Sequence, residues 1–144
     1  MSDQIVLALI AGVMTPLQAA VNARLGRMLG SPIWAAAVSG AVLTIVLAAI
    51  GLLTTRTLPR TTGAADLPWW AWTGGLYGAF FLTATTFGVP RLGSATMIAM
   101  VVTGQVIFSL LLDRVGLFGL TAQPLTPHRV AAACLLLAGA MLIR

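Results

Sequence analysis

"PIWAAAVSGAVLTIVLAAIGLL", residues 32–53, runs for 22 residues without a charged side chain. As a helix, a stretch of that length covers about 33 Å, enough for the roughly 30 Å hydrocarbon core of a bilayer. The rest of the chain agrees with this reading. Of its 144 residues 59% are hydrophobic and 8% are charged, and the mean hydropathy is +1.01. Soluble domains carry about a quarter of their residues charged. A globule with so few charges could not cover its surface, so the solvent of this chain is a lipid bilayer.

Working outward from residues 32–53, four more apolar stretches emerge, at about 5–23, 69–89, 93–112 and 127–143. The last is apolar only from Val130 to Ile143 and takes in Pro127 to Arg129 to approach spanning length, or tilts little. The expected fold is an all-α integral membrane protein with five transmembrane helices in one domain, residues 1–144. Only "TTRTLPRTTGAADLP", Thr54 to Pro68, approaches a real loop, and no low-complexity tract interrupts the chain. Whatever the protein does, its membrane helices are expected to do it. The leading "MSDQ" holds Asp3 and no basic side chain, unlike the positive flank of a signal peptide, so the first stretch is expected to be a retained helix.

All eight basic residues are arginines. With five spans, Arg56, Arg60, Arg114 and Arg129 fall on one side of the membrane and Arg24, Arg27, Arg91 and Arg144 on the other. Orientation follows the Lys and Arg bias of short loops, and acidic residues count for little. A tie predicts insertion both ways up; if the last span is bounded differently, a weak ordinary bias replaces the tie. Two inverted copies can pair about a two-fold axis in the membrane plane, the symmetry that secondary transporters often build from inverted repeats. The expected unit is therefore a ten-helix antiparallel homodimer. The net charge of +5 is spread over both sides, with no basic patch to track a nucleic-acid backbone.

Inside the spans the informative residues are polar. "TPLQAAVNARLGR", Thr15 to Arg27, sets Gln18 and Asn22 four residues apart, on one helix face. Pro16 frees a carbonyl near Gly12 and can kink the helix there. An amide without a partner costs several kcal/mol in hydrocarbon, so both must face other helices or water. Interhelical bonds of about 0.6–2 kcal/mol are one use; lining a substrate path is the other. Gln18, deeper in the span, points toward substrate, whereas Asn22, near the membrane edge, stays open between the two.

The fourth span repeats the pattern with Thr103, Gln105, Ser109 and Asp113, of which the last three form one stripe. Asp113 is either a solvated end pair with Arg114 or an inward carboxylate suited to ion coupling. Arg24 and Arg91, at span ends, are the other candidates for coupling or gating. No carboxylate lies at mid-membrane, which disfavours proton exchange through a central acid.

In "PWWAWTGGLYGAFFLTATTFG", Trp69, Trp70 and Trp72 are expected to form an interfacial belt, with Trp34 as a further anchor. Gly74 and Gly78 invite close helix approach, and Tyr77 either lines a cavity or packs. The fifth span, "VAAACLLLAGAMLIR", suits helix packing or dimer contact. Cys134 reads as a packing residue and His128 as an interfacial one. One His, one Cys and three carboxylates offer no metal cluster. No nucleophile stands beside a base, so neither a cofactor nor an enzyme is expected.

At these residues a resemblance enters. "LQAAVNARLGR", "PWWAWTGGLYGAFF" and above all "PRLGSATMIAMVVTGQVIFSLLLDRVGLFG" resemble the five-helix YdcZ-type branch of the drug/metabolite transporter superfamily. The likeness covers essentially the full chain and is most specific between Pro90 and Gly119, through Arg91, Gly93, Gly104, Gln105, Ser109, Asp113 and Gly116. It implies a bacterial inner-membrane protein of five helices that works as an antiparallel homodimer, as a pair of oppositely oriented chains or as a fused ten-helix protein. The related small multidrug exporters carry a glutamate in their first helix, where this chain has Gln18 and Asn22, so proton-coupled export of cationic drugs does not carry over. Arg114 and Val115 stand where the pattern would have His and Phe.

The resulting expectation is a half-transporter for a small polar or amphipathic solute. The substrate is expected to be neutral rather than cationic, because amides bind through hydrogen bonds without supplying charge. Its site is expected at Gln18, Asn22, Tyr77, Gln105 and Ser109. An obligate, oppositely oriented partner protein is one alternative, and a membrane scaffold or regulatory subunit another.

Overall fold

The computed structural model describes residues 2–59, 62, 66–119 and 121–143. Arg60 and Arg144, two of the eight arginines in the charge tally, lie outside the described residues. Five α-helices follow one another, and the described residues contain no strand: α1 (Ser2–Met28), α2 (Pro32–Thr55), α3 (Gly74–Leu92), α4 (Ser94–Val115) and α5 (Pro127–Ile143). Three of them, α1 from Asp3, α2 and α4, are long and apolar enough to cross a membrane. α5, with 17 residues, reaches only about 26 Å. α3 has 19 residues, and its glycines, threonines and terminal arginine dilute its apolar character.

The third helix departs most from expectation. Trp69–Trp72 form a separate 3-10 turn, so α3 starts at Gly74 rather than Trp69. Thr73 closes that turn twice, its backbone N–H donating to the Trp70 carbonyl at 3.1 Å and its hydroxyl donating there at 2.7 Å. The tryptophans thus precede the helix, exposed as an interfacial belt requires, and Tyr77 sits in the first turn of α3. α2 opens with Ser31, whose hydroxyl accepts from the Trp34 N–H at 3.4 Å, and with Pro32 as its first residue. It ends on Arg56 in the left-handed region (φ 52), the Arg56 N–H donating to the Leu52 carbonyl.

The chain divides into two compact units. The first comprises Met1–Pro16 and Val89–Arg144, and the second Leu17–Gly88.

In the second unit the buried face of α1 carries Ala19, Asn22, Ala23 and Gly26. It is matched by buried Ala35 and Ala36 on α2 and by Leu82, Thr85 and Thr86 on α3. Small side chains let the backbones approach, which is how helices gain packing contacts where lipid offers no hydrophobic drive. A Cβ on Gly26 would stand 3.3 Å from the Pro32 Cα, a tight contact that the α2 backbone would have to ease, and 3.5 Å from the Thr86 Cγ2, an ordinary one. The buried threonines satisfy themselves locally: Thr85 donates to the Phe81 and Leu82 carbonyls and Thr86 to the Leu82 carbonyl.

In the first unit α4 packs along α5. Thr103, 4% exposed, donates to the Ala99 carbonyl of its own helix at 2.7 Å and to the Leu136 carbonyl of α5 at 3.4 Å. Thr96 donates to the Ile143 carbonyl, also at 3.4 Å.

Candidate functional site

The expected site residues fall into two groups, one in each unit: Gln18, Asn22, Arg24 and Tyr77 in the second, and Arg91, Gln105, Ser109 and Asp113 in the first.

The amides of α1 part company. Gln18 and Asn22 are only about 40° apart around the helix, yet the buried arc centres on Ala19, Ala23 and Gly26. Asn22 falls inside it and Gln18 outside. Asn22 is 3% exposed, and its Nδ2 donates to the Ser39 hydroxyl of α2 at 3.2 Å. That amide is satisfied within its own chain and links two helices, the first of the two uses weighed for it. Gln18 is exposed and has no hydrogen-bond partner among the described residues. Arg24 is exposed as well. Ser39 is the residue that sequence reasoning missed; its signal was a hydroxyl interrupting an otherwise apolar run.

Along α4, Gln105 and Ser109 are exposed and also have no hydrogen-bond partner among the described residues. Asp113 is different. Its partner is Arg129 at the start of α5, not Arg114: Arg129 Nη1 donates to Asp113 Oδ2 at 3.3 Å. Arg129 Nη2 also donates to Gln123 Oε1 at 2.7 Å, and the Gln123 N–H donates to the Asp113 carbonyl at 2.7 Å. Successive helical residues diverge by about 100°, which turns Arg114 away, whereas the returning loop brings Arg129 back. A carboxylate in a helix's last turn opposes the helix dipole, and the guanidinium offsets that. Both side chains are 36% exposed, so the pair itself contributes under about 1 kcal/mol. This is a polar clamp on the α4–α5 connection, at the C-terminal end of α4. Arg91, exposed, closes α3.

Tyr77 is 66% exposed, in the first turn of α3 just after the tryptophan turn. Along α2 and α3 runs a groove of about 500 Å³, lined by Gly40 and Thr44 on one side and Gly74, Gly78 and Thr83 on the other. The Thr44 hydroxyl donates to the Gly40 carbonyl at 2.9 Å, leaving oxygen lone pairs as the polar feature of a carbon-lined wall. Among the described residues no three His, Cys, Asp or Glu side chains gather where they could hold a metal ion.

Two comparisons place this arrangement. Residues 4–142 match a protein family described as "Putative inner membrane exporter, YdcZ". Over 79 residues the chain is 35% identical to the "Inner membrane protein YdcZ" of Escherichia coli (strain K12), a match covering 55% of this chain and 52% of that protein. The chain thus aligns with about half the length of the curated relative it matches. No solved structure matches. With helices built for a bilayer and a match along nearly its whole length, the chain belongs to the YdcZ family of multi-pass inner-membrane proteins.

Proposed function

We propose that the chain is a half-transporter of the drug/metabolite transporter superfamily. It inserts both ways up and pairs as an antiparallel homodimer, and it exports a small polar or amphipathic solute by alternating access, one copy rocking against the other. The observation that carries the reading is the pair of long amides, Gln18 on α1 and Gln105 on α4, exposed without a partner among the described residues. Such groups are costly against lipid. A solvated path between two copies gives them water and substrate to bond. Ser109 lies one turn from Gln105 on α4 and is proposed as a lining residue with it, as is Tyr77 on α3. Asn22 and Asp113, each held inside its own unit, support the fold in this reading; Arg24 and Arg91 stand at span ends where they can gate. The family's description supplies the direction, export.

The test is solute flux and ligand-induced thermal stabilisation of purified protein, screened over small metabolites and cationic drugs. Gln18→Ala and Gln105→Ala are expected to remain folded and dimeric while flux or ligand stabilisation changes. The rival, a membrane scaffold that moves nothing, draws support from Asn22, an amide used as helix glue. It prevails if both variants dissociate or unfold the protein without touching any transport signal.

A further inference from the structure

Within the first unit, α4 and α5 leave an open seam. Thr96 bonds the Ile143 carbonyl and Thr103 the Leu136 carbonyl, so the two helices run antiparallel, the end of α4 level with the start of α5. Toward that end they flank a groove of about 220 Å³, lined by Ile107, Leu110 and Leu111 on one side and by Val130, Cys134 and Leu137 on the other. All of these but Leu110 are exposed. Such a carbon-rich wall gains nothing from water and suits hydrocarbon.

An arginine stands at the head of the groove. Arg114 lies seven residues beyond Ile107, four beyond Leu110 and three beyond Leu111, which centres it on the groove-lining face of α4. It falls in the last turn of a 22-residue helix, and the ends of a bilayer-spanning helix lie among headgroups. Arg114 is exposed, with no hydrogen-bond or ion partner among the described residues. Its neighbour Asp113 is taken up by Arg129, which also holds Gln123. That pair is neutral as a unit and leaves the Arg114 charge uncompensated.

From this we infer that the α4–α5 seam binds an anionic phospholipid, its phosphate on the Arg114 guanidinium and one acyl chain along the groove. Guanidinium groups grip phosphate oxygens through two parallel hydrogen bonds. A zwitterionic headgroup offsets that attraction with its own cation. A second copy of the chain matches the site poorly, because it brings eight arginines against three carboxylates. Gln105 and Ser109 each lie about 160° around α4 from Ile107, so the solute path proposed above and the lipid seam occupy opposite sides of that helix. The lipid site stands whether or not the chain transports.

The test is photo-crosslinking of the full chain in phosphatidylcholine nanodiscs. A trace phospholipid carries a diazirine on one acyl chain, about 10 Å below the headgroup, the distance along α4 from Arg114 back to Ile107. Two probes differ only in headgroup, phosphatidylglycerol or phosphatidylcholine, and mass spectrometry of peptides locates the adducts. Nanodiscs offer both leaflets, so either orientation of the chain meets the probe. The glycerol probe is expected to label residues 107–111 and 130–137 about fivefold more than the choline probe, the factor that one arginine supplies near an anionic surface. Arg114→Gln is expected to bring the two probes level, Arg114→Lys to keep most of the preference, and Arg27→Gln, in the other unit, to leave it unchanged. Cys134→Phe, which fills the groove from an exposed position, is expected to lower labelling there by both probes. Equal labelling in the unmodified chain, a preference that survives Arg114→Gln, or groove adducts undiminished by Cys134→Phe overturns the assignment. So does an absence of adducts at 107–111 and 130–137 with labelling elsewhere, which would mean that protein covers the seam.

Discussion

Replacing Asn22 or Ser39 tests whether a membrane amide here is structure or substrate site. The bond between them, 3.2 Å long, lies at the far end of the N–H···O range, and Asn22 is 3% exposed. Ser39→Ala strands a buried carboxamide, at a cost of about 1–3 kcal/mol. Asn22→Ala leaves the Ser39 hydroxyl, which can turn to the Ala35 carbonyl of its own helix. Its cost is then the lost bond, about 0.6–1.7 kcal/mol by the measured range for membrane helices, plus a small void. The double variant should cost less than the sum of the two by about that same 0.6–1.7 kcal/mol, well beyond the roughly 0.3–0.5 kcal/mol within which independent sites add. Reversible unfolding in mixed detergent micelles, followed by tryptophan fluorescence, measures all four corners of the cycle. Flux per folded molecule is expected to be unchanged in Asn22→Ala. Additive costs, or a flux loss in Asn22→Ala at full stability, would refute the structural role.

Two further outcomes are expected. Asp113→Asn and Arg129→Gln should each lower thermal stability by under about 1 kcal/mol, because the pair is part-exposed; the swap Asp113→Arg with Arg129→Asp should restore most of it in a melting curve. Cysteine placed at Thr57 should label with an impermeant reagent from both faces of the membrane when the chain is expressed alone, and labelling from one face only would move the assembly to an obligate partner.

Long apolar runs made α1, α2 and α4 legible from sequence, because hydrocarbon admits few other solutions for so many carbon-rich residues. The start of α3 was not legible. Apolarity counts Trp69, Trp70 and Trp72 as span residues, yet Pro68 before them and the Thr73–Gly74 pair after them favour a turn, which hydropathy cannot register. Helical spacing sets Gln18 and Asn22 about 40° apart, yet Asn22 is buried and Gln18 exposed, because the limits of the buried arc are decided by where α2 and α3 pack, a long-range matter. Its local clue was the run of small residues Ala19, Ala23 and Gly26. The clamp was obscured for a similar reason: nearness in sequence suggested Arg114 for Asp113, whereas the true partner stands 16 positions on.

The two units also differ in how soon a ribosome can complete them. Residues 17–88 are contiguous, so every packing partner in that unit has been synthesised before α4 begins. The other unit draws on both 1–16 and 89–144, so the front half of α1 enters the bilayer long before α4 and α5 exist. Since chains organise from the amino terminus as they grow, that half-helix must wait in lipid for its companions, protected meanwhile only by its own apolar surface.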